Sequence, residues 1–140
     1  MSVSIHAVCA AGLVGSDQAG AFEKFLGAAG IRTRLLAVPH PTRVNTMVTD
    51  GRSREIKLNR PGFPEMDFDW PRLSAYGRDL AAEGDVIVLS GSLPARFPAD
   101  AYARLIALFR GAGKRVALDA GGACLAAGAK AGPAVLKPNR

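Results

Sequence analysis

Residues 85–94 constrain the fold of this chain more than any other stretch. The apolar run Val86–Leu89 has the length of a strand and ends abruptly in Ser90, Gly91 and Ser92. Because these apolar residues are continuous rather than alternating, they predict a parallel strand that helices cover on both faces. Such sheets bind ligands beyond the carboxyl ends of their strands. The two serines therefore lie where a ligand would be met, and Gly91 leaves the backbone open there.

Strand and helix signals alternate along the rest of the chain. Apolar residues at helical spacing, bounded by Asp, Pro or Gly, predict helices near residues 17–30, 71–84, 98–111 and 122–130. Short apolar segments predict further strands at residues 5–9, 34–38, 115–119 and 133–137. This order predicts an α/β fold, a doubly wound and mostly parallel sheet with helices on both faces.

The first predicted helix shows the pattern most clearly. Phe22, Phe25 and Leu26 recur at helical spacing and form one apolar stripe. Gly12 and Gly15 predict a turn before this helix, Asp17 can cap its start, and Gly30 can end it.

Residues 42–62 show a different pattern of apolar and polar residues. Val44, Thr46 and Val48 alternate with polar neighbours, Asp50 and Gly51 give a turn signal, and the residues after the turn alternate again. We predict a β-hairpin with one face in water, inserted into the α/β domain at about residues 41–62.

Size and composition favour a single globular domain over residues 1–140. The chain has 140 residues, of which 49% are hydrophobic and 21% charged, and no apolar run approaches the length of a membrane span. The first 15 residues lack the basic start of a signal peptide, so we expect a cytoplasmic protein without a membrane partner. Cys9 and Cys124 lie among small apolar residues and are expected to be buried free thiols.

The net charge of +6 raises the question of a nucleic-acid partner. The 18 Lys and Arg residues are scattered singly, and no run of them resembles a basic arm. We therefore expect no nucleic acid to bind. A phosphorylated small-molecule substrate suits the same charge.

Polar groups follow three of the predicted strands at the same edge of the sheet. They are Ser90 to Ser92, Asp119 with two glycines after it, and Lys137 with Asn139. Turns use the same residue types, so each group by itself is a weak signal. Their convergence is the functional signal, and it predicts a ligand site at this edge.

Arg43 and Asn45 lie at the start of the predicted hairpin. They are two residues apart, so on a strand they face the same side. A guanidinium and an amide presented together suit a phosphate and a sugar hydroxyl.

Several motifs in this order and spacing resemble the phosphofructokinase B (PfkB) family of ribokinase-like sugar kinases. They are Thr42-Arg43-Val44-Asn45, Asp50-Gly51 with Arg54-Glu55-Ile56, Pro61-Gly62, Ser90-Gly91-Ser92-Leu93-Pro94, Leu118-Asp119 with Gly122, and Lys137-Pro138-Asn139. The chain is most similar to the branch that contains 1-phosphofructokinase and tagatose-6-phosphate kinase. The resemblance runs from Gly12 onward.

The resemblance implies a ribokinase-like fold in which the hairpin is a β lid. It also implies transfer of the γ-phosphoryl group of ATP, with Mg²⁺, to a hydroxyl of a sugar phosphate. Arg43 would hold the phosphate of the substrate, Asn45 would line the sugar site, and Ser92 would contact the substrate. The intact protein would form a homodimer through its lid.

The nucleotide side of the site follows from the same resemblance. Lys137 and Asn139 would face the phosphates of ATP and the hydration shell of the metal, and Asp119 would lie near the same Mg²⁺ ion. Phosphoryl transfer would then depend on positioning and charge stabilisation.

The chain departs from the family pattern at three places. Asp119-Ala120-Gly121-Gly122 stands where the family has Asp-Thr-Ser-Gly, which removes two hydroxyls. The Asn-x-x-Glu motif is cut after Asn139, and the loop with the catalytic base and anion hole is expected beyond Arg140. The N-terminal substrate aspartate, a glycine pair and the partner strands of the lid are missing too. We therefore expect the central part of a 1-phosphofructokinase, with no catalytic residue of its own and no activity alone.

Other interpretations stay open from the sequence. The chain could be a non-catalytic module that binds sugar phosphates or pairs with a complementary chain through exposed sheet edges. It could also be a fragment of a tagatose-6-phosphate or fructose-6-phosphate kinase.

Overall fold

The computed structural model describes residues 7–50, 54–60, 62–63 and 66–139. Its elements, in chain order, are β1 (Cys9–Gly15), α1 (Ala19–Ala28), β2 (Arg32–Val38), β3 (Asn45–Thr49), β4 (Glu55–Asn59), α2 (Trp70–Ala81), β5 (Val86–Ser90), α3 (Ala101–Gly111), β6 (Arg115–Ala120), α4 (Gly122–Lys130) and β7 (Val135–Pro138). β1 pairs with β2 in parallel, and β5, β6 and β7 form a parallel sheet in that order. β3 and β4 form an antiparallel hairpin. The alternation of helices with parallel strands is the one predicted.

The parallel strands of the described residues form two sheets rather than one. Within the described residues β1 pairs with β2 alone, and β5 and β7 are the two edge strands of the other sheet. Helix α2 connects the two sheets. The hydroxyl of Tyr76 accepts a hydrogen bond of 3.0 Å from the Gly12 amide in β1 and donates to the Arg34 carbonyl in β2. Ala81, at the end of the same helix, belongs to the core beneath β6.

The hydrophobic core lies where α3 packs on β6. Phe109, Ile106, Leu118 and Val116 are the largest fully buried side chains, each at most 1% exposed. Gly128 brings α4 close to the same core, because a Cβ at this position would lie only 2.4 Å from a terminal carbon of Leu118. None of the helices in the described ranges is long and apolar enough to cross a membrane.

The predicted first strand at residues 5–9 is wrong in its extent. β1 begins at Cys9 and continues through Gly12 to Gly15, and residues 1–6 lie outside the described residues. Gly15 is the last residue of β1, and it is a glycine because the chain returns close to it: a Cβ there would lie 2.3 Å from the His40 carbonyl oxygen. A glycine that signals a turn in the sequence therefore serves a close approach of two segments.

Helix α1 differs from its prediction in cap and burial. Gln18 stands at the N-cap without a side-chain bond, and Asp17 instead accepts a hydrogen bond from the Thr42 amide. Gly30 ends the helix with a positive φ of 72°, as predicted. The apolar stripe is largely in water, since Phe22 is 40% and Phe25 75% exposed.

The predicted two-sided cover of β5 is wrong within the described residues. Ile87 and Leu89 are half-buried against the core, whereas Val86 and Val88 are 58% and 65% exposed. In the part of the chain that the structure describes, helices pack on this sheet on the Ile87 side only. Cys9 and Cys124 are free as predicted, but both are only half-buried.

The hairpin is also more exposed than predicted. Every residue of β3 and β4 is exposed, so both faces lie in water rather than one. Its apolar face carries Val48 opposite Ile56 and Leu58 opposite Thr46.

Candidate functional site

Three polar side chains lie in register at the carboxyl edge of the β5–β6–β7 sheet. Ser90 pairs with Asp119, and Asp119 pairs with Lys137. Residues in register on adjacent strands present their side chains on the same face of a sheet. These three residues therefore form one row, which we call the polar row.

An ion pair connects two members of the polar row. The Lys137 ammonium lies 3.1 Å from each carboxylate oxygen of Asp119 and donates a hydrogen bond of 2.9 Å to Oδ1 of Asn139. The structure thus brings together the three residues that the resemblance assigned to the nucleotide and the metal. The Lys137 side chain is 66% exposed and that of Asp119 25% exposed, so a ligand can reach both groups.

The surroundings of Asp119 keep its carboxyl ionised. Hydrogen bonding from Lys137 lowers the pKa of Asp119 below its ordinary value, with smaller contributions of the same sign from Asn139 and Ser90. Partial desolvation acts in the opposite direction and is outweighed. The site therefore holds the Asp119 carboxylate next to the Lys137 side chain.

A buried tyrosine anchors the loop that follows β5. The Tyr102 hydroxyl lies 3.0 Å from the carbonyl oxygens of both Ser90 and Gly91. Burial raises the pKa of Tyr102 to about 12, so its hydroxyl stays protonated and can donate. Gly91 has a φ of +101°, a conformation that favours glycine. From the sequence, Tyr102 is only one apolar residue on the helical face of α3, and its link to this loop carries no sequence signal.

The start of the hairpin reaches the same edge of the sheet. Nη1 of Arg43 lies 2.7 Å from Oγ of Ser92. Asn45 is the first residue of β3, two positions after Arg43. The structure therefore brings the three residues predicted for the substrate into one region, through the contact between Arg43 and Ser92.

A clamp at the end of β1 holds the segment that carries Arg43. The Gly15 amide donates a hydrogen bond of 2.9 Å to Oγ1 of Thr42, and the Thr42 amide donates one of 3.3 Å to Oδ1 of Asp17. Thr42 immediately precedes Arg43, so these hydrogen bonds fix the position of the backbone from which the Arg43 side chain extends. Sequence reasoning singled out Gly15 and Asp17 for a turn and a helix cap and missed this role.

The arrangement suits an anionic, phosphorylated ligand. Arg43 supplies a guanidinium that can bind phosphate with two parallel hydrogen bonds, and Lys137 supplies an ammonium on a flexible side chain. Ser92 adds a hydroxyl that can donate or accept. Lys137 lies toward the carboxyl end of β7, and Ser92, which Arg43 contacts, follows the carboxyl end of β5. Ligands of open α/β sheets bind at this edge.

Comparison with known proteins identifies the family. Residues 2–140 match the sequence profile of the pfkB family carbohydrate kinases. This chain belongs to the pfkB family. The match covers nearly the whole chain and starts earlier than the resemblance at Gly12 predicted.

Individual pfkB relatives support the predicted branch. The 1-phosphofructokinase of Rhodobacter capsulatus is 38% identical over 136 residues, which are 96% of this chain and 43% of the relative. The 1-phosphofructokinase of Escherichia coli K12 is 29% identical over 133 residues, 95% of this chain and 43% of that protein. The chain thus spans less than half the length of these relatives, as the prediction of a fragment requires.

Solved structures confirm the fold class. A possible 1-phosphofructokinase from Thermotoga maritima superposes with a TM-score of 0.83 at 24% identity, over 95% of this chain and 43% of that chain. Phosphofructokinase-2 from Escherichia coli in complex with fructose-6-phosphate gives a TM-score of 0.77 at 20% identity, over 95% and 44%. The predicted α/β, ribokinase-like class is confirmed, whereas the residue roles within the site stay predictions.

The ion pair in the polar row leads to a pH prediction. Replacing Lys137 with methionine removes the ammonium, so the pKa of Asp119 should rise toward its ordinary value. A lowered carboxyl pKa stabilises the folded state above the unfolded-state value, and this contribution is lost as the pH falls through the folded-state value. A ¹³C NMR titration of the Asp119 carboxyl in Lys137→Met would measure the change.

Lys130→Met is the matched control, because Lys130 is an exposed lysine at the end of α4. We expect this variant to leave the pKa of Asp119 where it was. An Asp119 titration that is the same in Lys137→Met and in the unchanged chain would contradict the assigned cause.

Proposed function

We propose that this chain is part of an ATP-dependent sugar-phosphate kinase, a 1-phosphofructokinase that converts fructose 1-phosphate to fructose 1,6-bisphosphate. The observation that carries the proposal is the contact between Arg43 and Ser92, 2.7 Å long, at the carboxyl edge of the sheet. It brings a phosphate-binding group from the hairpin to the place where parallel sheets bind ligands. The 1-phosphofructokinase relatives support the choice of substrate.

On the substrate side, we propose that Arg43 binds the phosphate group of the sugar phosphate. Its guanidinium can exchange the neutral hydroxyl of Ser92 for a charged phosphate, a stronger partner. Ser92 then becomes available to a sugar hydroxyl, and Asn45 lines the same side of the hairpin.

On the nucleotide side, we propose that Lys137 and Asn139 bind ATP and that Asp119 lies near Mg²⁺. Within the described ranges no group of three metal-ligating side chains is arranged to hold an ion. One carboxylate nevertheless fits Mg²⁺, which usually keeps several waters and takes one or two carboxylates together with substrate phosphates. When bound, the ion would neutralise charge on the phosphates. Lys137 would exchange Asp119 for a phosphate oxygen, which frees the carboxylate for the metal.

We propose that this chain binds these ligands but transfers no phosphoryl group by itself. A general base works best with a pKa near the working pH. Asp119, the carboxylate of the polar row, has its pKa lowered by Lys137 and is therefore a poor base. The alternative is a non-catalytic module that binds sugar phosphates through the same contacts. Such a module would transfer no phosphoryl group even when the rest of a kinase is supplied.

Titration calorimetry with fructose 1-phosphate tests the substrate side. Arg43→Ala should weaken binding on the order of 10- to 100-fold, because a charge-assisted hydrogen bond contributes about 1.5–3 kcal/mol. Arg54→Ala is the control on the same hairpin, since the Arg54 guanidinium lies 3.2 Å from Asp50 and is assigned no ligand.

Equal affinity in Arg43→Ala and the unchanged chain would contradict the proposal. Parallel titrations with tagatose 6-phosphate and fructose 6-phosphate separate the related kinases. Tighter binding of either sugar phosphate would replace fructose 1-phosphate as the proposed substrate.

We also propose that the hairpin forms a homodimer contact. Its apolar face is large and lies in water: Val44, Val48, Ile56 and Leu58 are 50%, 51%, 61% and 57% exposed. Contiguous apolar surface of this kind marks interaction sites in soluble proteins. Among the structural neighbours, phosphofructokinase-2 from Escherichia coli has a tetrameric form.

Sedimentation equilibrium tests this contact. The unchanged chain should sediment as a dimer, and Val48→Asp together with Ile56→Asp should make it a monomer, since both charges would enter the contact. Met47→Asp is the control, because Met47 is 58% exposed on the opposite face of the same strand. A monomeric unchanged chain, or a dimer indifferent to the Val48 and Ile56 changes, would refute the hairpin contact.

A further inference from the structure

The Tyr102 hydroxyl ties the backbone of the loop after β5 to the hydrophobic core. The Tyr102 ring is a member of that core and is only 6% exposed. Its hydroxyl lies 3.0 Å from the carbonyl oxygens of both Ser90 and Gly91. A buried tyrosine hydroxyl needs a hydrogen-bond partner and has one proton to donate, so the two carbonyls share it. The loop that leads to Ser92 is therefore held from inside the domain.

This hydrogen bond sets the direction of the peptide group between Gly91 and Ser92. In a trans peptide the carbonyl and the N–H point in opposite directions, and the described residues contain no cis peptide bond. The Gly91 carbonyl is turned toward Tyr102, so the Ser92 amide points away from it. Among the residues that the structure describes, none accepts a hydrogen bond from this amide. The Ser92 amide is thus left as a donor for a ligand.

The Ser92 amide lies next to the group that we propose for phosphate binding. Nη1 of Arg43 lies 2.7 Å from Oγ of Ser92, and this hydroxyl is only three bonds from the amide nitrogen of the same residue. Ser92 is exposed. Backbone N–H groups and guanidinium groups both bind phosphate oxygens, and hydrogen bonds to an ionised acceptor are the stronger kind. One phosphate group can therefore receive bonds from Arg43 and from the Ser92 amide together.

We propose that Tyr102 is a positioning residue of the sugar-phosphate site, because its hydroxyl turns the Ser92 amide toward the phosphate that Arg43 binds. The inference rests on the proposed function, since it takes this phosphate to be that of the sugar phosphate. Tyr102 does not contact the ligand and acts through Ser92. The proposal explains why a polar group that is otherwise rare in the core lies directly beneath this loop.

Titration calorimetry of Tyr102→Phe measures the contribution of the hydroxyl. The variant keeps the ring in the core and removes only the hydrogen bond to the loop. Fructose 1-phosphate should bind about 3- to 10-fold more weakly, the effect expected for the loss of one neutral hydrogen bond. Tyr76→Phe is the matched control, because the Tyr76 hydroxyl also bonds two backbone groups, the Gly12 amide and the Arg34 carbonyl. Its affinity for fructose 1-phosphate should be unchanged.

Two further readouts distinguish positioning from a loss of stability. In a ¹⁵N-labelled chain, the Ser92 amide proton resonance should move downfield when fructose 1-phosphate or inorganic phosphate saturates the site. This displacement should shrink in Tyr102→Phe and stay the same in Tyr76→Phe. The affinity for ADP, whose phosphates we assign to Lys137 and Asn139, should be unchanged in Tyr102→Phe.

Gly91→Ala reaches the same peptide group and leaves Tyr102 intact. A Cβ at this position would meet no described atom within 4 Å, so the substitution adds no collision. It disfavours only the φ of +101° that Gly91 adopts. Fructose 1-phosphate binding and the displacement of the Ser92 amide resonance should both decrease in this variant as well.

Equal affinity for fructose 1-phosphate in Tyr102→Phe and the unchanged chain would overturn the inference. So would a Ser92 amide resonance that stays in place while fructose 1-phosphate binds, or a loss of ADP affinity in Tyr102→Phe as large as that for the sugar phosphate. The proposed function fails separately. If inorganic phosphate moves the Ser92 resonance and binds as tightly as fructose 1-phosphate, the sugar-phosphate substrate is refuted and the positioning role of Tyr102 stands.

Discussion

The register of β5, β6 and β7 is the constraint on which the candidate site depends. Ser90, Asp119 and Lys137 are far apart in the sequence, and only the parallel pairing of their strands puts them side by side. A slip of one residue would turn Lys137 to the other face of the sheet. The core beneath β6 opposes such a slip, because Val116 and Leu118 must stay buried against α3. Packing on one face of the sheet therefore fixes the positions of Ser90, Asp119 and Lys137 on the other face.

A second set of contacts brings the hairpin to this edge. The close approach of residues 40–42 to Gly15 directs Arg43 toward Ser92, and Tyr102 holds the loop on which Ser92 lies. Both sides of the contact are thus held by hydrogen bonds between a side chain and a backbone group. The guanidinium, in contrast, is exposed and bonded to a neutral hydroxyl, a partner that a phosphate can replace.

Local signals explain why much of this could be predicted from the sequence. The apolar run before Ser90, the Gly and Lys at the ends of α4, and the strand before Lys137 are short-range patterns with one reasonable interpretation. Parallel pairing then places the strand ends together without further information. The hairpin is predictable from its alternation for the same reason, whereas the turn predicted at Asp50 and Gly51 extends outside the described residues.

The errors concern contacts between distant segments. Gly15 and Asp17 look like turn and cap residues until the chain returns to them at residues 40–42. Tyr102 looks like any apolar helix residue until its hydroxyl meets the loop after β5. The continuous apolar run Val86–Leu89 predicts cover on both faces, whereas within the described residues only the side of Ile87 and Leu89 is covered.

The central claim is that Arg43 and Ser92 form a sugar-phosphate site above the polar row. A crystal structure of the chain with fructose 1-phosphate tests it most directly. The account predicts the phosphate group on the Arg43 guanidinium and a sugar hydroxyl on Ser92, at the carboxyl edge of β5. Fructose 1-phosphate bound elsewhere, or Arg43 still bonded to Ser92 with the sugar phosphate saturating, would contradict it.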